Sequence, residues 1–184
     1  MKMSQKEIKQ FSDVVVLKRE VYESELGYFT NLYNQNLIEC DFIQDSVSHI
    51  NKTGTVKGLH FQNSPFSQAK LVTVLQGKIV DCIVDIRPKS DTYLDYGLIE
   101  ISDKNKNMLF IPRGYAHGYM TLEENTLINY KIDNKYSPEN EFSINWKDKT
   151  LDIKWPRFEK YFLSKKDEQA PQIDEITHKI KIHE

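Results

Sequence analysis

From residue 41 to 133 the chain repeats one pattern, in which short segments rich in Val, Ile, Tyr and Phe are separated by Gly, Asn, Asp, Ser or Pro. The eight segments are DFIQDSVSHI, GTVKGLHFQ, AKLVTVLQ, KIVDCIVDIR, YLDYGLIEIS, NMLFIPRG, AHGYMTL and TLINYKID. β-branched and aromatic residues are favoured in strands, and the turn residues between the segments end each run. Strands that are this short and this regularly spaced predict a β-sandwich or a β-barrel.

The connections and the ends of the chain give weaker signals. The run LVTVLQGKIVDCIVDIR predicts a β-hairpin with Gly77 in its turn, and the polar stretch 103–107 predicts a second turn. Residues 12 to 35 predict an early strand pair followed by a short helix or turn. Beyond Pro156 the pattern loosens and predicts a short helix or coil followed by a charged tail. Because the chain has 184 residues, we expect residues 1 to 184 to form a single domain.

Composition argues against several classes of partner. Lys and Arg total 25, Asp and Glu total 27, and the pI near 6.2 gives no electrostatic reason to expect nucleic acid. No apolar run approaches the roughly 18 residues that a membrane span needs. Cys40 and Cys82 lie far apart, outside any C-x-x-C spacing, which fits two thiols in a reducing compartment. We therefore expect a cytoplasmic protein that binds neither nucleic acid nor membrane.

Two of the five histidines stand in strand-like segments flanked by glycine, His60 in GLHFQ and His117 in PRGYAHGYM. We expect the remaining three to be structural or solvated: His49, His178 and His183. An H-x-H metal-binding pair would need a histidine at the position of Gln62, and no acidic residue stands at the usual spacing. Two histidines fall short of the three or four protein ligands that metal sites generally use, so we expect no metal.

Several motifs together identify a resemblance. They are GLHFQ, KLVTVLQGKIVDCIVDIR, SDTYLDYG, IPRGYAHGY, YKI, YSPENEFSINW, WP and LSKKD. In this order and spacing, from about residue 42 to 171 and with a weaker echo in ELGYFTNLYNQ, the chain resembles the dTDP-4-dehydrorhamnose 3,5-epimerase family, a metal-free branch of the cupins. The resemblance implies an all-β, double-stranded β-helix (cupin or jelly-roll) barrel with short peripheral helices. The barrel would span residues 42–155, and 156–184 would form a C-terminal extension.

The resemblance also implies a reaction and its residues. The substrate would be a nucleotide-diphosphate 4-keto-6-deoxy sugar, inverted at C3 and C5 by proton removal and return, with no cofactor because the ketone itself accepts the electrons. His60 matches the base, Asp167 the carboxylate that orients it, Lys70 the cation near the C4 oxygen and Tyr130 the acid. His117 matches a second pocket histidine. A homodimer is implied, with residues 12–35 as its contact strands.

Three positions depart from the family pattern where its members contact the nucleotide. Leu26 and Lys57 each stand where arginine is usual, and Lys135 replaces one tyrosine of a Tyr-Tyr pair. Lysine keeps the charge of arginine but loses its planar fork, and leucine loses both. Besides Lys57, the residues expected to bind the substrate are His117, Gln62, Phe29 and Arg113.

These departures leave several readings open. A dTDP-linked hexose is the first expectation, and a GDP-linked 4-keto heptose or inversion at a single carbon is the alternative. A cupin ketoisomerase would generally need a second histidine where the chain has Gln62. A sugar-binding cupin without catalysis would not need a base and an acid on opposite faces of the sugar.

Overall fold

The computed structural model describes residues 5–8, 10–36 and 38–182. His183, which the sequence predicts to be solvated, lies outside these residues. The strands are β1 (Gln5–Ile8), β2 (Phe11–Lys18), β3 (Val21–Ser24), β4 (Gly27–Thr30), β5 (Gln44–Ile50), β6 (Val56–Gln62), β7 (Lys70–Gln76), β8 (Lys78–Asp85), β9 (Tyr96–Ser102), β10 (Asn107–Ile111), β11 (Tyr115–Thr121), β12 (Thr126–Ile132) and β13 (Glu141–Ser143). The helices are α1 (Lys165–Glu168), α2 (Ile173–Ile176) and the short 3₁₀ helices Pro138–Asn140 and Thr177–Lys179. Among the described residues, no helix is long and apolar enough to cross a membrane.

Two antiparallel sheets face each other. One has the order β1-β2-β10-β7-β12-β5 and the other the order β13-β6-β11-β8-β9. Side chains from both sheets fill the space between them, among them Phe11, Val14, Val72, Ile79, Ile83, Leu109 and Ile128. Strands β5 to β12 are divided between the two sheets as in a double-stranded β-helix, and each of the eight predicted segments corresponds to one of them, with β11 beginning one residue before its segment. The all-β jelly-roll prediction, with its short peripheral helices, is confirmed.

The predicted hairpin between β7 and β8 is wrong. β7 pairs with β10 and β12, whereas β8 pairs with β9 and β11, so the chain crosses from one sheet to the other at Gly77. Gly77 has a φ of 81°, and a Cβ there would lie 2.5 Å from Thr126 Oγ1. A glycine between two apolar runs marks a reversal of the chain, but it does not determine which strands then pair. The predicted turn at 103–107 likewise links β9 and β10 across the two sheets.

The N-terminal region divides into two parts. β2 pairs with β10 and buries Phe11, Val14 and Leu17, so the six-stranded sheet includes strands that precede residue 42, the predicted start of the barrel. β3 and β4 then form a separate hairpin, which agrees with the predicted early strand pair, and a turn follows at residues 35–36. That hairpin exposes several large apolar side chains: Tyr22, Leu26, Tyr28 and Phe29.

The C-terminal region packs on the five-stranded sheet. Ile173, Ile176 and Ile180 are buried in a cluster with residues of β6, β8 and β11, whereas His178 is exposed. Asp148 fixes the start of α2 by accepting a 2.6 Å hydrogen bond from the backbone N–H of Ile173. The region therefore buries apolar surface instead of ending as a loose tail, and α1 lies against β6, the strand that carries His60.

Candidate active site

A cavity of about 310 Å³ lies among strands β5, β6, β7, β11 and β12. Its lining consists of Ser48, Lys57, His60, Gln68, Lys70, His117, Gly118, Tyr119, Tyr130 and Ile132. Residues from distant parts of the sequence meet here because β5, β7 and β12 of one sheet lie opposite β6 and β11 of the other. The structure thus assembles His60, Lys70, His117 and Tyr130 around one space.

Glycines let β6 and β11 come close together beside the two histidines. His60 and His117 are cross-strand partners, and the ladder is irregular between His117 and Tyr119. Gly58 has a φ of 105°, and a Cβ on it would lie 2.6 Å from Gly118 Cα and 2.7 Å from the His117 carbonyl oxygen. No other residue type fits at Gly58 without moving β11, so the glycines of GLHFQ and AHGYM set where the imidazoles lie.

His60 and Asp167 form a close pair across 107 residues of sequence. His60 Nε2 lies 2.6 Å from Asp167 Oδ1, and the Ser164 hydroxyl donates to Oδ2 at 2.7 Å. Burial raises the pKa of Asp167, but the hydrogen bonds from His60 and Ser164 outweigh it, so the pKa is lowered from its ordinary value. The carboxylate is therefore ionised and accepts the Nε2 proton, which leaves Nδ1 as the basic nitrogen. The imidazole is 28% exposed, so a ligand in the cavity can reach it.

A second imidazole–carboxylate pair lies deeper. His117 Nε2 is 2.9 Å from Asp81 Oδ2, and both side chains are buried. Burial raises the pKa of Asp81, opposed by the charges of His117 and Lys70. Burial in turn lowers the pKa of Lys70, opposed by the charges of Asp81 and Glu141. The carboxylates thus favour the charged ammonium of Lys70 at a site where desolvation disfavours it.

Tyr130 faces the cavity from the sheet opposite His60, since β12 and β6 belong to different sheets. Burial raises the pKa of Tyr130 well above 10, and the neighbouring Tyr119 raises it further. The phenol therefore keeps its proton at neutral pH, as a general acid must. An imidazole on one sheet and a phenol on the other can act on the two faces of a ring held between them.

Among the described residues that were predicted to bind substrate or that depart from the family pattern, only His117 and Lys57 lie in the cavity lining. Lys57 lines the cavity and donates a 3.3 Å hydrogen bond to Ser48 Oγ. Arg113 is paired with Asp133 at 2.8 Å, and Phe29 is 62% exposed on the β3–β4 hairpin, beside Tyr22. Neither Arg113 nor Phe29 is among the lining residues. Leu26 and Lys135, the other departures from the family pattern, are also exposed.

Gln62 is used by the protein backbone. Its amide nitrogen donates to the carbonyl oxygens of Phe66 at 2.6 Å and Lys135 at 3.1 Å, and its oxygen accepts from the Ser137 N–H at 2.6 Å. Within the described chain Gln62 does not line the cavity. In this structure the side chain tethers two loops beside the site, and its hydrogen bonds are already made.

Sequence reasoning missed Asp81, the partner of His117, and four other polar residues near this site. Tyr119, Ser48 and Gln68 line the cavity, and Glu141 acts by charge on both His60 and Lys70. The signal for Tyr119 was its position two residues after His117, because alternate residues of a strand point to the same face. Within 5–8, 10–36 and 38–182 no group of three or more His, Cys, Asp or Glu side chains is placed to hold a metal ion.

Comparison with known proteins gives consistent results. Residues 9–175 match the family model described as dTDP-4-dehydrorhamnose 3,5-epimerase. The enzyme of that name from Salmonella typhimurium is 40% identical over 169 residues, which cover 89% of this chain and 92% of the relative, and the Escherichia coli enzyme is 35% identical over 173 residues, covering 91% and 93%.

Solved structures agree with the sequence relatives. A Bacillus anthracis dTDP-4-dehydrorhamnose 3,5-epimerase with TDP and PPi bound has a TM-score of 0.88 at 37% identity, covering 93% of this chain and 99% of its own. The dTDP-6-deoxy-D-glucose-3,5-epimerase of Legionella pneumophila, in complex with dTDP-4-keto-L-rhamnose, has a TM-score of 0.92 at 33% identity and covers both chains fully.

Proposed function

This chain belongs to the dTDP-4-dehydrorhamnose 3,5-epimerase family, and we propose that it inverts C3 and C5 of a dTDP-linked 4-keto-6-deoxyhexose. Its sequence relatives are epimerases, which makes this chain an epimerase. The Legionella relative was solved in complex with dTDP-4-keto-L-rhamnose, a 4-keto sugar of this class. One observation carries the proposal. His60 Nε2 lies 2.6 Å from Asp167 Oδ1, and His60 lines the same cavity as Lys70 and Tyr130.

In the proposed mechanism, the C4 ketone acidifies the C–H bonds at C3 and C5. His60 takes one of these protons, and the electron pair of the broken C–H bond moves toward the C4 oxygen to give an enolate. Lys70 stabilises the negative charge on that oxygen. Tyr130 then delivers a proton to the same carbon from the opposite face, which reverses its configuration. The cycle is repeated at the second carbon.

The test supplies dTDP-, GDP- and CDP-linked 4-keto sugars to the protein in D₂O and follows exchange and product stereochemistry by NMR. We expect deuterium at both C3 and C5 of the dTDP-hexose and accumulation of the doubly inverted sugar. Leu26, Lys57 and Lys135 depart from the family pattern and left open a GDP-linked heptose substrate or inversion at one carbon. Preference for the GDP-linked sugar, or inversion of one carbon only, would support that alternative. Absence of exchange with all three substrates would refute the proposal.

Lys70 is expected to set the alkaline limit of activity. Its pKa is lowered by burial, so it loses its proton, and with it the stabilisation of the enolate, at a lower pH than an exposed lysine would. Tyr130 keeps its proton over that range because its pKa is raised. Lys70→Ala should lower kcat by about 10²- to 10³-fold, the cost of removing one oxyanion donor.

A second substitution at the same position separates charge from shape. Lys70→Arg should move the alkaline fall of kcat to higher pH, since guanidinium stays charged, whereas Lys104→Arg at an exposed site should leave the profile unchanged. The measurement is kcat against pH from 6 to about 11. An alkaline limb that stays in place in Lys70→Arg would exclude Lys70 as its source.

We further propose that the chain acts as a cytoplasmic homodimer. The β3–β4 hairpin exposes Leu26 fully and Phe29 by 62%, and β5, an edge strand of the six-stranded sheet, exposes Val47 by 60%. A second copy of the chain would cover such a surface. Sedimentation should give the dimer mass, and Leu26→Asp combined with Phe29→Asp should give the monomer mass. A monomeric wild-type protein would contradict the proposal.

A further inference from the structure

The Tyr119 hydroxyl is a buried polar group that the proposed mechanism leaves unused. Tyr119 is 3% exposed and lines the cavity, and its hydroxyl has no well-aligned hydrogen-bond partner among the described residues. Its ring lies 6.4 Å from that of Tyr130, between centroids. An unpaired buried hydroxyl costs about 1–3 kcal/mol, so a phenylalanine at this position would be the more stable choice unless the oxygen has a use.

Polar groups continue from Tyr119 toward the surface. Ser48, on β5, lies beside Tyr119, and its hydroxyl accepts a 3.3 Å hydrogen bond from the ammonium of Lys57. Lys57 is exposed, and its backbone pairs with that of Tyr119 across β6 and β11. Ser48 belongs to the same sheet as Tyr130, whereas Tyr119 and Lys57 belong to the facing sheet, and all four residues line the one cavity. Hydroxyl protons rotate to suit their neighbours, so each oxygen can accept from one side and donate to the other.

We propose that Tyr119 and Ser48 form a proton relay, fed by Lys57 and solvent, that reprotonates Tyr130 between the two inversions. The proposal rests on the proposed function, since only a double inversion requires the reset while the sugar stays bound. The first inversion leaves Tyr130 as a phenolate. Without a new proton on that oxygen, the second carbon has no acid on its far face, and the sugar leaves after one inversion.

The relay balances proton by proton. An O–H bond forms at Tyr130 as the O–H bond of Tyr119 breaks, and the Tyr119 oxygen takes the proton of Ser48. Ser48 takes a proton from the Lys57 ammonium, which is restored by water. One proton is thus carried from solvent to Tyr130. The His60 imidazolium releases the proton it took from the sugar to solvent, which neutralises the hydroxide left by that water, so the acid and the base are both ready for the second carbon.

Electrostatics favours this direction of transfer. Burial raises the pKa of both tyrosines, and the charge of Asp81 raises both further. The nearby hydroxyls of Tyr130 and Ser48 oppose the rise at Tyr119, whereas the nearby Tyr119 adds to the rise at Tyr130. A negative charge is therefore better tolerated on Tyr119 than on Tyr130. A proton on Tyr119 moves readily to a Tyr130 phenolate, and the relay hydroxyls then refill Tyr119.

The experiment is a rapid-quench time course with the dTDP-linked 4-keto-6-deoxyhexose, resolving singly and doubly inverted sugars. Tyr119→Phe should keep the first inversion within about threefold and slow the second by about 10- to 100-fold, below the general-acid range because water can still reach Tyr130. Singly inverted sugar should therefore be released. Ser48→Ala should give the same product ratio, and the double variant should add little, because the two residues act in one path.

Tyr93→Phe is the matched control, since Tyr93 is partly buried and lies outside the cavity lining. Equal slowing of both inversions by Tyr119→Phe, or an unchanged product ratio, would overturn the relay. The wild-type protein supplies a test that needs no variant, the rate of the second inversion against the D₂O fraction in H₂O/D₂O mixtures. A relay moves several protons and predicts a curved plot, so a linear plot would also overturn the relay. Wild-type protein that inverts neither carbon would refute the proposed function instead.

Discussion

Replacing His60 with asparagine is expected to stop deuterium uptake at both C3 and C5. The loss should be at least about 10²- to 10⁴-fold, the usual contribution of a general base. One imidazole serves both carbons in the proposed mechanism, so neither should exchange faster than the other. The measurement is NMR of the dTDP-linked 4-keto sugar in D₂O, with the His60→Asn protein at the concentration of the wild type.

His178→Asn supplies the control, because His178 is exposed on a 3₁₀ helix outside the cavity. The control should exchange both carbons at the wild-type rate. Substantial deuterium uptake by His60→Asn at either carbon would assign the base to another group, and His117 would then be the candidate at that wall of the cavity.

Asp167→Asn is expected to lose nearly as much activity while the fold is kept. An amide at this position can donate to Nε2, which favours the tautomer with the proton on Nδ1 and removes the free base. Asp167 also contributes to stability in a pH-dependent way, because its pKa is lower in the folded protein than the value of about 3.9 expected in the unfolded chain. The stability it adds is therefore present above about pH 3.9 and is lost as the pH falls through the folded pKa. Acid unfolding followed by circular dichroism should therefore begin at higher pH in Asp167→Asn than in the exposed control Asp152→Asn.

The sequence allowed the chemistry to be predicted further than the strand pairing. The family motifs predicted that Asp167 orients His60, although 107 residues separate them, and the two side chains lie at hydrogen-bonding distance. The segment from β7 to β8 gave the clearest turn signal and was still assigned to the wrong pairing, because periodicity reports burial and glycine reports a turn. Which strand lies beside β7 depends on β10 and β12, far along the chain.

The roles of individual side chains were likewise harder to predict where they depend on contacts between distant segments. Gln62 was expected to contact substrate, but its amide is used by three backbone groups, one on nearby Phe66 and two in the distant loop at Lys135 and Ser137. Tyr119 was not singled out because it is one of ten tyrosines and its importance depends on Tyr130 and Ser48 from other strands. Local sequence identifies which groups can do chemistry, whereas the long-range register decides which of them meet.

Replacing Tyr130 with phenylalanine is expected to separate exchange from inversion. His60 would still remove a proton, exchange it with solvent and return deuterium to the same face, so label should enter C3 and C5. Inversion needs a proton from the other sheet, and without the phenol it should fall by about 10²- to 10⁴-fold. The readout is the ratio of labelled substrate to inverted product, followed by NMR in D₂O.

Tyr93→Phe, which removes a phenol outside the cavity lining, should keep the wild-type ratio. Wild-type inversion at both carbons in Tyr130→Phe would show that another donor reaches the far face, and Tyr119, the other phenol of the cavity lining and 6.4 Å from Tyr130 between ring centroids, would then be the candidate. Loss of exchange together with inversion would instead mean that Tyr130 helps to hold the sugar against His60. In the proposed mechanism His60 removes the proton from one sheet and Tyr130 returns a proton from the other. Tyr130→Phe should therefore retain exchange and lose inversion, and no other result fits these two roles.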